Sequence, residues 1–168
     1  MVTRYVGIAR DFDLAAMAHD AAHDLGPAHV LDQLRAHCDV VVVGPSDCPR
    51  PGLLWRFVLG VLAKGYSTPA VWRVAHGLTS RARSGELLYA TGEDLGLAIC
   101  VLSLLRRRSN PLMIAVIWPE QTGPTRLLLR FSRRIDLLLV ETDDKAARVL
   151  ALAGRRCPPI ERIPAMVD

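Results

Sequence analysis

The stretch ELLYATGEDLGLAICVLSLLRRR, residues 86–108, decides how the chain is read. ELLYA (86–90) is a short apolar run of strand length, and DLGLAICVLSLLRRR (94–108) has helical character. Between them sits a small turn that ends in two adjacent carboxylates, Glu93 and Asp94. Strand, turn and helix in that order form the repeating unit of an α/β fold.

The pattern recurs along the chain. YVGIA (5–9), DVVVVG (39–44), LMIAVIW (112–118), DLLLV (136–140) and the weaker IERIP (160–164) read as further strands. The middle ones are nearly continuous in Val, Ile and Leu, as in strands buried on both faces of a parallel sheet. AHVLDQLRAHC, GLLWRFVLGVLAKG, TPAVWRVAHGLTSRARSG, TRLLLRFSRRI and DDKAARVLALAGRR fill the intervals as helices. The alternation predicts an α/β, Rossmann-like, doubly wound and mainly parallel sheet of about six strands, with helices on both faces. SGE closes a helix before the third strand, and Gly154 is placed to stop another. Residues 1–168 read as one such domain; the Pro/Gly-rich loop VGPSDCPRPG (43–52) is a connection and not a boundary.

Composition narrows the classes. Hydrophobic residues make up 51% and charged residues 23%, which is globular. The net charge of +4 would suit an anionic partner. However, 19 of the 21 basic residues are Arg, and Arg, Ala, Leu, Val and Asp together fit GC-rich coding, so the charge is discounted as a functional signal. No basic stretch is interleaved with stacking rings, and nucleic acid is not an expected partner. Cys38, Cys48, Cys100 and Cys157 show neither CxxC nor paired metal spacing, consistent with a reduced, cytoplasmic chain. The opening MVTRYVGIARDFD lacks a signal-peptide core, and LGLAICVLSLL is about half as long as a bilayer span.

In an open α/β sheet, ligands sit beyond the carboxyl ends of the strands. The residues there are Arg10-Asp11, Gly44-Pro45-Ser46, Thr91-Gly92-Glu93-Asp94, Pro119-Glu120-Gln121-Thr122 and Glu141-Thr142-Asp143-Asp144. Each group also has a plain structural reading. Thr91 followed by Asp94 is close to a capping box, and Glu93 and Asp94 in a first turn favour the helix dipole by roughly 0.3–1 kcal/mol each. Thr142 caps and Asp143-Asp144 complement the dipole in the same way. Pro124 falls early in a helix, where its missing N–H costs nothing. Glu120 is not explained by capping and stands as a candidate ligand contact.

His19 and His23, four apart with Asp20 and Asp24 beside them, could share a helix face, but no third ligand is evident and no metal site is expected. His76 reads as a helix residue without chemistry. There is no GxGxxG after the first strand, no GxxxxGK[ST] and no GxSxG, so the usual phosphate loops and nucleophile elbow are missing, and no cofactor is expected.

In order, DLGPAHVLDQLRAHCDVVVVGP, ELLYATGEDLGLAICVLSLLRRRSNPLMIAVIWPE, RIDLLLVETDDKAARVLALAG and IERIPAMVD resemble the N-terminal domain of GT-B glycosyltransferases. The likeness is to the large retaining family that includes sucrose- and mannose-transferring enzymes, and it spans most of residues 24–168. It implies an acceptor-binding half of a hexosyltransferase, with the nucleotide-sugar donor gripped by a C-terminal domain. By position it assigns Gly26 to the first-loop glycine, and Thr91, Gly92, Glu93, Asp94, Glu120 and Glu141 to the acceptor side of the cleft. The chain departs from the family at IWPEQ, where a His or similar polar group is common. The donor-binding domain, with its acidic pair and basic phosphate ligands, has no counterpart in these residues. Activity would then need a second domain or a partner subunit, and the acceptor would be a sugar or a lipid-linked sugar. LLWRFVLGVLAKGY (53–66), from Leu53 to Tyr66, reads first as a helix packed on the sheet and otherwise as a peripheral contact with the inner membrane face. The alternative to a transferase half is a non-catalytic α/β module that binds a ligand or protein.

Overall fold

A computed structural model describes residues 3–7, 35–36, 39–65, 67–116, 119 and 122–163. Six strands run β1 (Thr3–Gly7), β2 (Asp39–Val43), β3 (Leu87–Ala90), β4 (Leu112–Ala115), β5 (Leu137–Val140) and β6 (Ile160–Arg162). Five described α-helices lie between them: α1 (Leu53–Gly65), α2 (Pro69–Arg81), α3 (Glu93–Leu105), α4 (Thr122–Leu129) and α5 (Asp143–Ala153). The sheet order is β2-β1-β3-β4-β5-β6 and every pairing is parallel. β1 lies between the other two N-terminal strands, with Tyr5 opposite both Val41 and Leu88.

Local chemistry explains several boundaries. α2 opens on Thr68, whose Oγ1 accepts the Val71 N–H at 3.5 Å, with Pro69 at the first helical position. The turn after α2 uses Gly85 at φ +87°, which glycine adopts without penalty. α5 opens on Thr142, whose Oγ1 accepts the Lys145 N–H at 3.2 Å, and stops at Gly154 with φ +61°. α3 is apolar on nearly all sides and buried on nearly all sides, as a helix flanked by two others on a sheet must be. It packs between α2 and α4.

The strand residues sort by alternation. Val43, Leu88, Ala90, Leu112, Ile114, Leu138 and Val140 join one large core with Leu59, Leu78, Ile99, Leu128 and Val149 from the five helices. Tyr89 and Leu139 point the other way, beside Val40, Val42, Met113, Ala115 and Leu137. The five helices α1–α5 therefore cover one face. The chain runs β2→β3→β4→β5→β6 in one direction across the sheet, so right-handed crossovers put these helices on one side. The step β1→β2 runs backwards, and between these strands Arg35 and Ala36 are helical.

Candidate functional site

The reversal of winding falls between β1 and β3, and the crevice of such a sheet opens beyond their carboxyl ends. On the β3 side stand Thr91, Gly92, Glu93 and Asp94. The expectation that Thr91 caps α3 is corrected here. Gly92 is the N-cap, its backbone extended at φ 164°, and it offers no side-chain cap bond. The Thr91 hydroxyl thus lies one residue too early, while the Gly92 carbonyl accepts the Gly96 N–H at 3.0 Å.

Asp94 supplies part of what the missing cap would do. Its Oδ1 accepts the N–H of Leu95 at 2.8 Å, and its Oδ2 accepts the Ser67 hydroxyl at 3.1 Å. Ser67 sits in the loop between α1 and α2 at φ +90°, where a residue with a Cβ is strained. Strain at a residue that bonds a crevice carboxylate is the pattern of an over-determined site. Sequence reading missed Ser67, because one Ser in the GYSTP loop has no periodicity or spacing to mark it.

Glu93 is only 6% exposed, unusual for a carboxylate, and its side chain is not without a partner. Behind it, α3 sits tightly on β4. A Cβ on Gly96 would come within 2.6 Å of Ile114 Cδ1, so only glycine allows this approach of helix to strand. That contact fixes the height of the α3 N-terminus above the sheet.

Glu141 follows β5, with Oε2 2.6 Å from Lys145 Nζ. Its charge and, more strongly, burial push the Tyr89 phenol up to about 12. Asp143 pairs with Arg162 at 3.0 Å on the surface. Gly26 and Glu120 lie outside the described residues, as do Arg10, Asp11, His19 and His23. The structure thus brings Thr91, Gly92, Glu93 and Asp94 together with Ser67, and sets Glu141 two strands away, just after β5. Among the described residues no three metal-ligating side chains converge.

His76 plays a structural part. Its ring meets Trp55 edge-on at 5.1 Å, and burial, followed by the Arg106 charge, holds its pKa below the usual range. The loop after β2 is pinned beside it, where Gly77 leaves room for Cys48 Sγ.

No family model and no curated protein sequence matches the chain. Among solved structures, the chain is similar to Anabaena HepE, crystallised in complex with UDP, at 17% identity and a TM-score of 0.48. The match covers 97% of this chain and 43% of that one, so the chain spans less than half of its length.

Proposed function

We propose that this domain is the acceptor-side half of a GT-B glycosyltransferase, completed by a donor-binding domain or subunit that holds the nucleotide sugar. One observation carries the reading: the winding reversal puts a buried Glu93 and the Asp94–Ser67 pair where such a sheet takes its ligand. Ionised carboxylates only accept hydrogen bonds, which suits the hydroxyls of a sugar acceptor. Gly92 leaves the backbone open to close approach. Glu93 and Asp94 would orient the acceptor, Glu141 would extend that wall, and Gly26 and Glu120 are assigned to the same cleft. Stabilising the departing phosphate falls to the donor-binding half.

A lipid-linked acceptor fits the first helix. Leu53, Leu54, Phe57 and Val61 are 82, 74, 72 and 54% exposed, and α1 has no acidic residue. Such a face can lie in a membrane surface. No described helix is long and apolar enough to cross one. A second reading, a non-catalytic binding module, is favoured by the fact that both Asp94 oxygens are already engaged within the fold.

The test is recovery of the natural protein from its own cells in mild detergent, with intact-mass analysis and an assay of sugar transfer from nucleotide sugars. A longer form or a stoichiometric donor-domain partner is expected, with transfer falling at least about tenfold in Glu93→Gln. A lone 18.5 kDa species without transfer would establish the binding module instead.

A further inference from the structure

Arginines gather where the helices end. α3 runs out into Arg106, Arg107 and Arg108, α4 into Arg130, Arg133 and Arg134, and α5 into Arg155 and Arg156. A cation near each C-terminus complements the helix dipole, and one per helix would suffice. Four of these eight, Arg130, Arg133, Arg134 and Arg156, line a groove of about 610 Å³ between the end of α3, the turn after α4 and the end of α5. Leu104, Leu129, Phe131 and Leu152 contribute its apolar lining. Arg126, Arg130, Arg133, Arg134 and Arg156 supply its charge, and among the described residues no carboxylate lines it.

These guanidinium groups are not spent on the fold. Among the described residues the side chains of Arg126, Arg130, Arg133 and Arg156 make no hydrogen bond or ion pair, and that of Arg134 makes one, to the Arg108 carbonyl at 3.1 Å. A second cavity of about 650 Å³ shares Arg133 and Arg134, and its one acid, Asp136, already accepts the Leu112 N–H through Oδ2 at 2.8 Å. Five like charges around one apolar trough raise each other's potential, and nothing in the lining neutralises them. A free anion would use the arginines and leave the apolar wall bare; a neutral chain would do the reverse.

We propose that this groove binds a phosphorylated amphiphile, with its hydrocarbon chain along Leu104, Phe131 and Leu152 and its phosphate among Arg130, Arg133 and Arg134. The volume is that of a small-molecule site, and arginine forks match phosphate oxygens. The groove lies at the amino edge of the sheet, opposite the crevice, and does not depend on the function proposed there. The ligand could be presented by a bilayer or come free from solution.

The test titrates the whole protein with decyl phosphate, decyl maltoside and inorganic phosphate, and measures retention on phosphatidylcholine vesicles with and without phosphatidylglycerol. Decyl phosphate should bind at least about tenfold more tightly than either of the other two. The double variant Arg130→Glu, Arg133→Glu should lose that preference with its circular dichroism and melting unchanged, since neither side chain makes a bond. Retention on anionic vesicles that this variant abolishes identifies a bilayer source; decyl phosphate binding without retention identifies a soluble one. Equal binding of decyl maltoside, unchanged binding by the double variant, or no binding of decyl phosphate would each overturn the proposal. Glu93→Gln should leave every one of these readings unchanged, which separates this groove from the crevice.

Discussion

The two edges of the sheet carry opposite charge. At the carboxyl edge, where helices begin, stand Glu93, Asp94, Glu141, Asp143 and Asp144; at the amino edge, where helices end, stand Arg81, Arg106 to Arg108, Arg130, Arg133, Arg134, Arg155 and Arg156. Helix dipoles alone sort charges this way in a parallel α/β fold. Charge at either edge therefore reports helix polarity before it reports function. What stands out is what the dipole does not require: a carboxylate only 6% exposed, a Ser held at φ +90°, and a groove in which four of five arginine side chains make no bond among the described residues. The carboxyl edge spends its side chains on internal bonds, whereas the amino edge keeps several unspent.

The largest effect that would sharpen this contrast is expected at high pH. Cys100 lies in α3 beside the amino-edge cavity, and burial pushes its thiol up to about 12, with the Arg134 charge pulling weakly the other way. The unfolded thiol ionises near its ordinary 9.0, so the stabilising term is complete below that pH and is lost as pH rises towards 12. By pH 11 about 2–3 kcal/mol should be gone, read from denaturant midpoints, and Cys100→Ala should flatten the slope. An equal slope in the variant would show that the amino edge solvates the thiol.

Next in size is a difference between two arginines of one edge. Arg106 Nη1 donates to Thr79 Oγ1 at 2.9 Å and Ser80 Oγ at 2.7 Å, and its guanidinium lies 4.8 Å over the Trp55 ring. Arg106→Ala should cost about 1–3 kcal/mol in urea unfolding. Arg133→Ala should stay within about 0.5 kcal/mol. If both cost the same, the division into spent and unspent arginines fails.

The smallest effect belongs to the carboxyl edge. Asp94→Asn keeps the shape but removes the charge from the first turn of α3, and should cost about 0.5–1 kcal/mol. Ser67→Ala in the same background should add little, because the two share one hydrogen bond. Additive losses would mean that Ser67 is held for another reason.

Much of this was legible in residue order. Five of the six strands fall within the apolar runs that announced them, β1 (Thr3–Gly7) overlaps YVGIA but begins two residues before it, and Thr142 caps α5 as ETDDK implies. Thr91 misled because a side-chain pattern cannot reveal which backbone turns extended; here that residue is Gly92. The TRLLLRFSRRI run was expected to be one helix through Ile135. Instead α4 stops at Leu129, as Arg130 and Phe131 donate to carbonyls three residues back, and a tighter turn follows at Ser132–Arg134. The Gly96–Ile114 contact, the seat of Cys48 under Gly77 and the reach of Ser67 to Asp94 were not legible. Each joins segments far apart in the chain, and periodicity carries no information across such distances.

The central place of β1 bears on how the protein is made. Synthesis delivers Thr3–Gly7 before either of its two neighbours, Asp39–Val43 and Leu87–Ala90. Beyond that point each new strand docks on the one before it, which is quick local assembly. On the ribosome β1 must wait for β3 to emerge before it is held on both sides. Within this sheet β1 is therefore the strand that stays half-paired, and a trigger for misassembly is best sought in whatever delays β3.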